Sequence, residues 1–174
     1  LDEHDGKFCA FPNKKQQPVA FSPGYIVEYH LKKTRNSIVL YSLEVVSVPL
    51  ACMKKDILFF HHVLELCNFF LPVGLVAQDV FEHILFLYRT CMQIDSYYLK
   101  KLFVGKLLFL CGVYPGEDFS YVNLFSKPID NIMKLNINLE YEKKIDTWLY
   151  GCVYSHPCVK EFKTIHFLKK NGAL

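Results

Sequence analysis

Seven histidines, seven cysteines and 17 acidic residues supply this chain with the side chains that metal or nucleophile chemistry would use, so their spacing is the first test. His61 and His62 lie four and three residues before Glu65, and Asp79 lies four before His83. On a helix each such pair shares a face, which is how two ligands approach one ion. None belongs to a recognisable ligand set and each sits in a strongly apolar stretch, so packed or capping histidines are expected. Cys152 and Cys158 enclose five residues and have no partner pair; no metal site is expected. The cysteines, at 9, 52, 67, 91, 111, 152 and 158, are scattered singly through apolar runs. An odd number without framework spacing argues for buried, reduced thiols and a reducing cytoplasm rather than a secreted disulfide scaffold. No Gly-x-Ser-x-Gly, no activated cysteine and no glycine-rich phosphate loop occurs. Neither an enzyme nor a cofactor is expected.

The cations are better organised. Net charge is only +3, and Arg35 and Arg89 are the two arginines against 18 lysines. Lys14-Lys15 follows the first visible strand, and Lys32-Lys33-Thr34-Arg35 occupies the next hairpin turn. Five cations on two loops of one small β domain suit a phosphate backbone. Phe8, Phe11, Tyr25 and Tyr29 beside them either stack bases or fill the β domain, and filling is the expected use for most.

The elements that must carry these residues divide into two kinds. Lys7–Phe11, Tyr25–Leu31 and Ser37–Val46 are alternating or β-branched, with turn signals at Asp5-Gly6, Pro12-Asn13, Ser22-Pro23-Gly24 and Arg35-Asn36-Ser37. They predict a small antiparallel barrel or sheet. From Pro49 the period becomes helical. Asp56–Leu71 places Ile57, Phe60, Leu64 and Cys67 on one face; Gln78–Met92 does the same with Val80, Ile84, Leu87 and Cys91. Tyr97–Cys111 is apolar nearly all round and is expected at the centre of a helical domain, ended by Gly112 and Pro115. Residues 116–138 read as loop with short strands near Tyr121-Val122 and Leu135-Asn136-Ile137. Further helices are expected over Glu140–Tyr154 and Val159–Lys170. Residues 1–50 form the β domain and 51–174 the helical one.

Within the central helix, Lys101 and Gly105 are four apart and Leu108 follows on the same face. A small residue there predicts a notch, floored by Leu108 and rimmed by a cation, suited to an acidic peptide ending in an apolar side chain and a free carboxylate. On that view Lys101→Glu should leave stability nearly unchanged. Glu65, Asp79, Glu82, His83 and Lys106 interrupt every long apolar stretch, so no membrane span is expected. Leu1-Asp2-Glu3-His4-Asp5 has no signal-peptide character, and the absent initiator Met suggests a fragment.

Taken in order, these segments resemble the RecO family of bacterial DNA repair and recombination proteins. The likeness runs through Leu1–Phe11 with Asn13-Lys14-Lys15, Phe21–Tyr29 and Leu40–Val46. It continues through Glu65-Leu66, Phe81–Tyr88, the helix closing in Gly112-Val113-Tyr114-Pro115, and Phe162-Lys163-Thr164-Ile165-His166-Phe167-Leu168. The family's first barrel strand has no counterpart, so the chain is expected to begin inside the barrel. The Cys-x-x-Cys pairs that many members carry after the Gly-Tyr-x-Pro turn are absent from Gly116-Glu117-Asp118-Phe119, so no zinc is expected.

The resemblance implies an α+β fold: an N-terminal OB-fold-like antiparallel β-barrel, then an α-helical domain. It implies a cytoplasmic, nucleoid-associated, non-enzymatic mediator that binds single- and double-stranded DNA, anneals strands and works with RecR and RecF to load recombinase. Lys14, Lys15, Lys32, Lys33 and Arg35 are the expected DNA-binding residues. Lys100, Lys101, Gly105 and Leu108 are expected to take the acidic tail of single-stranded DNA-binding protein. The alternative is a helical protein-interaction adaptor with little DNA affinity.

Overall fold

Alternation of apolar and polar residues builds one long hairpin. A computed structural model describes residues 1, 7, 11–12, 22–35, 37–113, 119–136, 138–154 and 156–164. Strand β1 (Phe11–Pro12) pairs parallel with β3 (Ile38–Ser47), and β2 (Ile26–Lys33) pairs antiparallel with β3, giving the order β1–β3–β2. On β2, exposed Glu28, His30 and Lys32 alternate with half-buried Tyr29 and Leu31. Among the described residues the strands form an open sheet, not a closed barrel. The class is α+β, with the helices after the sheet.

Helix α1 (Leu50–Phe70) starts six residues before Asp56, where the helical period was expected to begin. Asp56 is itself non-helical (φ −159°, ψ 83°) and its Oδ1 accepts from the Phe59 N–H at 2.9 Å. It thus acts as an N-cap inside the helix, dividing a short lead-in from the amphipathic stretch. At the other end the Lys7 ammonium donates to the Asn68 and Leu71 carbonyls, placing a cation at the negative helix terminus. The sheet meets the same helix where Gly24 (φ 91°) lies against Phe60 and Leu64, and it meets α2 (Gln78–Thr90) where the Ser47 and Tyr88 hydroxyls pair at 2.6 Å.

Helix α3 (Tyr97–Leu110) packs against α1, α2, α4 (Phe119–Phe125), α5 (Ile129–Ile132) and α6 (Leu139–Tyr154). Its residues Lys101–Leu108 are all buried, the central position expected of a helix apolar on every side. Ser96 caps its start, accepting from Leu99 N–H at 3.1 Å. Gly112 (φ 70°) ends it: Gly112 N–H donates to Phe109 and Val113 N–H to Leu108, a Schellman closure that requires the left-handed conformation.

The stretch expected as loop and strand holds α4 and α5 instead. Their seven and four residues are too short to display a helical period, and burial of Leu124, Phe125 and Ile132 against α3 decides their form. Leu135 donates back to Ile132 in a turn, not a strand, and Ile137 lies outside the described residues. Of the last expected helix, Pro157–Glu161 is a 3₁₀ turn and only residues 163–164 are described as helical; 165–170 lie outside the described residues.

Candidate nucleic-acid interface

The hairpin tip gathers exposed cations on a turn that is tied closed. Thr34 N–H and Oγ1 both donate to the Ser37 carbonyl, at 2.8 and 2.9 Å, and Ser37 N–H donates to Thr34 Oγ1 at 3.1 Å. Lys32, Lys33 and Arg35 flank and fill this clasp, and all three are exposed. Successive strand residues point to opposite faces, so Lys32 and Lys33 leave the ribbon on its two sides with Arg35 at the turn. Three positive charges on a short, closed loop form a compact anion-facing surface. Lys14, Lys15 and Phe8 lie outside the described residues, as do the side chain of Phe11 and that of Cys158.

Away from the tip the field reverses. Glu28 stands directly opposite Glu44, both exposed, and like charges so paired repel each other and any phosphate. The pairing also slips by one residue between His30 and Leu31, leaving Tyr41 as the extra residue of a bulge. Tyr41 is 43 % exposed; it is not among the aromatic residues singled out from the sequence, because a bulge is set by pairing and has no local signature.

The four residues expected to receive a peptide tail are occupied within the fold. Lys100 Nζ lies 2.6 Å from the second oxygen of Asp56, the oxygen not used in capping. Lys101 Nζ bridges Glu142 at 2.9 Å and Asp146 at 2.8 Å, two carboxylates one turn apart on α6. Burial would lower the Lys101 pKa, but its hydrogen bonds to Asp146 and Glu142 outweigh that and hold the ammonium above the usual lysine value. The expected notch at Gly105 is filled: a Cβ there would lie 2.3 Å from the Phe125 ring, and Leu108 is fully buried. These residues therefore form no solvent-facing groove, and a neutral outcome for Lys101→Glu is replaced by a destabilising one.

Lys106, the second buried cation of α3, donates to the Phe125 carbonyl at 2.7 Å and so closes the C-terminus of α4. Burial pulls its pKa below the ordinary lysine value, with the Asp79 charge opposing that pull.

His62 and His83 are buried and packed. His83 Nε2 lies 3.0 Å from the Phe103 carbonyl, which can only accept, so this ring carries its proton on Nε2; it also stacks on Phe103 at 3.9 Å. Thr164 Oγ1 contacts both a Glu65 oxygen and His62 Nδ1, the latter at 2.8 Å. The Thr164 hydroxyl donates its hydrogen bond to the carboxylate, so His62 Nδ1–H donates to Thr164 Oγ1. Glu65 also accepts from the N–H groups of Lys163 and Thr164, and tethers that segment to α1. Among the described residues no three His, Cys, Asp or Glu side chains converge as metal ligands would, and no helix is long and apolar enough to cross a membrane.

No family model, curated protein or solved structure matches the chain.

Proposed function

We propose that this chain is a RecO-like, non-enzymatic mediator of DNA repair and recombination. It binds single- and double-stranded DNA without sequence preference, and its sheet is part of an OB-fold-like barrel. The observation that carries this reading is the clasped hairpin tip with Lys32, Lys33 and Arg35 exposed together, ahead of a helical domain in the order the RecO resemblance implies. Phosphate contacts made this way depend on charge and geometry, not on base identity. Strand annealing and recombinase loading with RecR and single-stranded DNA-binding protein, in a bacterial cytoplasm, complete the role.

The test is a salt-dependent titration. If Lys14, Lys15, Lys32, Lys33 and Arg35 all engage phosphates, about four or five are neutralised, and log affinity should fall with log salt at a slope of about −3 to −4 on single strands. Replacing Lys14, Lys15, Lys32 and Lys33 by Ala should weaken binding and flatten the slope. Unchanged affinity and slope would remove this surface from the reading.

The adaptor alternative has one observation in its favour. Val73, Leu75 and Val76 are 60, 54 and 61 % exposed, and the last two border a cleft of about 350 Å³ with Leu71, Val80 and Leu110. Contiguous exposed apolar residues of this kind mark protein contacts. DNA binding absent at low salt would favour this reading over the first.

A further inference from the structure

Beyond its cations, the hairpin carries an exposed aromatic residue. Between the pairs His30↔Ser42 and Leu31↔Leu40, β3 carries one residue more than β2, and that residue is Tyr41. A bulge takes its residue out of the ladder and re-aims the side chain. Tyr41 is exposed, whereas Tyr25 and Tyr29 on the neighbouring segment are half-buried. The solvent side of β2, marked by Glu28, His30 and Lys32, is electrostatically graded. Lys32 lies at the tip end beside Lys33 and Arg35, and the Glu28–Glu44 pair lies four residues away, about 13 Å along the strand. A polyanion is drawn to the tip and repelled from the acidic pair. A strand lying here would set its phosphates at Lys32–Arg35 and its bases beside the bulge.

We propose that Tyr41 is a base-stacking platform and that the hairpin consequently prefers single-stranded nucleic acid to duplex. This rests on the reading of the tip as a DNA interface. Every base has a π-face, so stacking on one ring adds affinity without adding sequence preference. In a duplex the bases are stacked on one another and offer a side chain only their edges, so duplex binding draws on the phosphate contacts alone.

The experiment titrates the full chain with a labelled oligothymidylate, an abasic deoxyribose-phosphate strand of the same length, and a duplex. Wild type should bind oligothymidylate more tightly than the abasic strand. Tyr41→Ala should lose about 5- to 10-fold on oligothymidylate alone, with the salt slope unchanged, and Tyr41→Phe should retain wild-type affinity. A folded Tyr41→Ala protein that binds oligothymidylate as wild type does overturns the stacking role. If Lys32→Ala and Arg35→Ala still weaken binding in that case, the basic-tip reading survives. Should Tyr41→Ala fail to fold, equal affinity of wild type for oligothymidylate and the abasic strand overturns the proposal instead. Binding to none of the three probes ends both readings.

Discussion

Lys101 shows how much a single buried cation does in this molecule. Glu142 and Asp146 are one turn apart on α6, and their mutual repulsion is cancelled by the ammonium between them. The Lys101 side chain is 9 % exposed and the two carboxylates 26 and 46 %, so the interaction is only partly screened. Lys101→Glu places a third carboxylate against the pair. It should destabilise the protein by about 2–4 kcal/mol, less than a fully buried charge would cost because Asp146 reaches water. Urea denaturation of the variant checks this, and a midpoint equal to wild type would contradict it. The thiols of Cys52, Cys111 and Cys152 are pushed up to about 12, chiefly by burial, so their contribution is packing.

Between elements, the decisive contact is α4 on α3 at Gly105. Phe125 is fully buried, rests its ring on the α3 backbone at that glycine, and stacks on Trp148 of α6 at 5.1 Å. Its carbonyl meanwhile holds Lys106. The ring is confined from both sides, so Gly105→Ala cannot be absorbed by a rotamer change. Alanine gains about 1 kcal/mol of helix propensity, yet the methyl must displace an enclosed aromatic ring, at an overpacking cost of about 1–3 kcal/mol or more. Net destabilisation is expected, read as a lowered melting temperature. A stabilised Gly105→Ala protein would show that α4 packs elsewhere.

For the whole molecule, two buried histidines set the response to acid. His62 joins α1 to the segment around Thr164, and His83 joins α2 to α3. Burial lowers each pKa to about 4, whereas an unfolded histidine titrates near 6.5. Between those values the unfolded chain binds more protons than the folded one. Stability therefore falls as pH is lowered from about 6.5 towards 4, by on the order of 1 kcal/mol per pH unit for each ring. Glu65 and Asp56 add to the loss at lower pH. Burial would raise both carboxyls, but hydrogen bonds from Thr164 and Lys163 to the first, and from Lys100 and Phe59 to the second, hold them below their ordinary values. Their stabilisation is lost as pH falls through those depressed values. Denaturation at about pH 7 and about pH 5 should differ clearly, and the double variant His62→Gln, His83→Gln should show a shallower dependence. Equal wild-type stability at the two pH values would refute the assignment.

Local sequence pattern alone determined the long elements. Alternation specified β2, a long β-branched run specified β3, and the 3.6-residue period specified α1 beyond Asp56 and α2, because each spans enough residues to show its pattern. The all-round apolar character of α3 likewise announced its central position, and Gly112 its end. The tertiary structure decided what the lysines and the glycine of α3 are for. A buried lysine and an exposed one are written identically, and the partners that separate them lie far off in sequence. Asp56 and Glu142 are more than 40 residues from Lys100 and Lys101, respectively, and Phe125 reaches Gly105 from a helix too short to announce itself. The bulge at Tyr41 belongs to the same class, since register is a property of two strands together, which neither strand encodes alone.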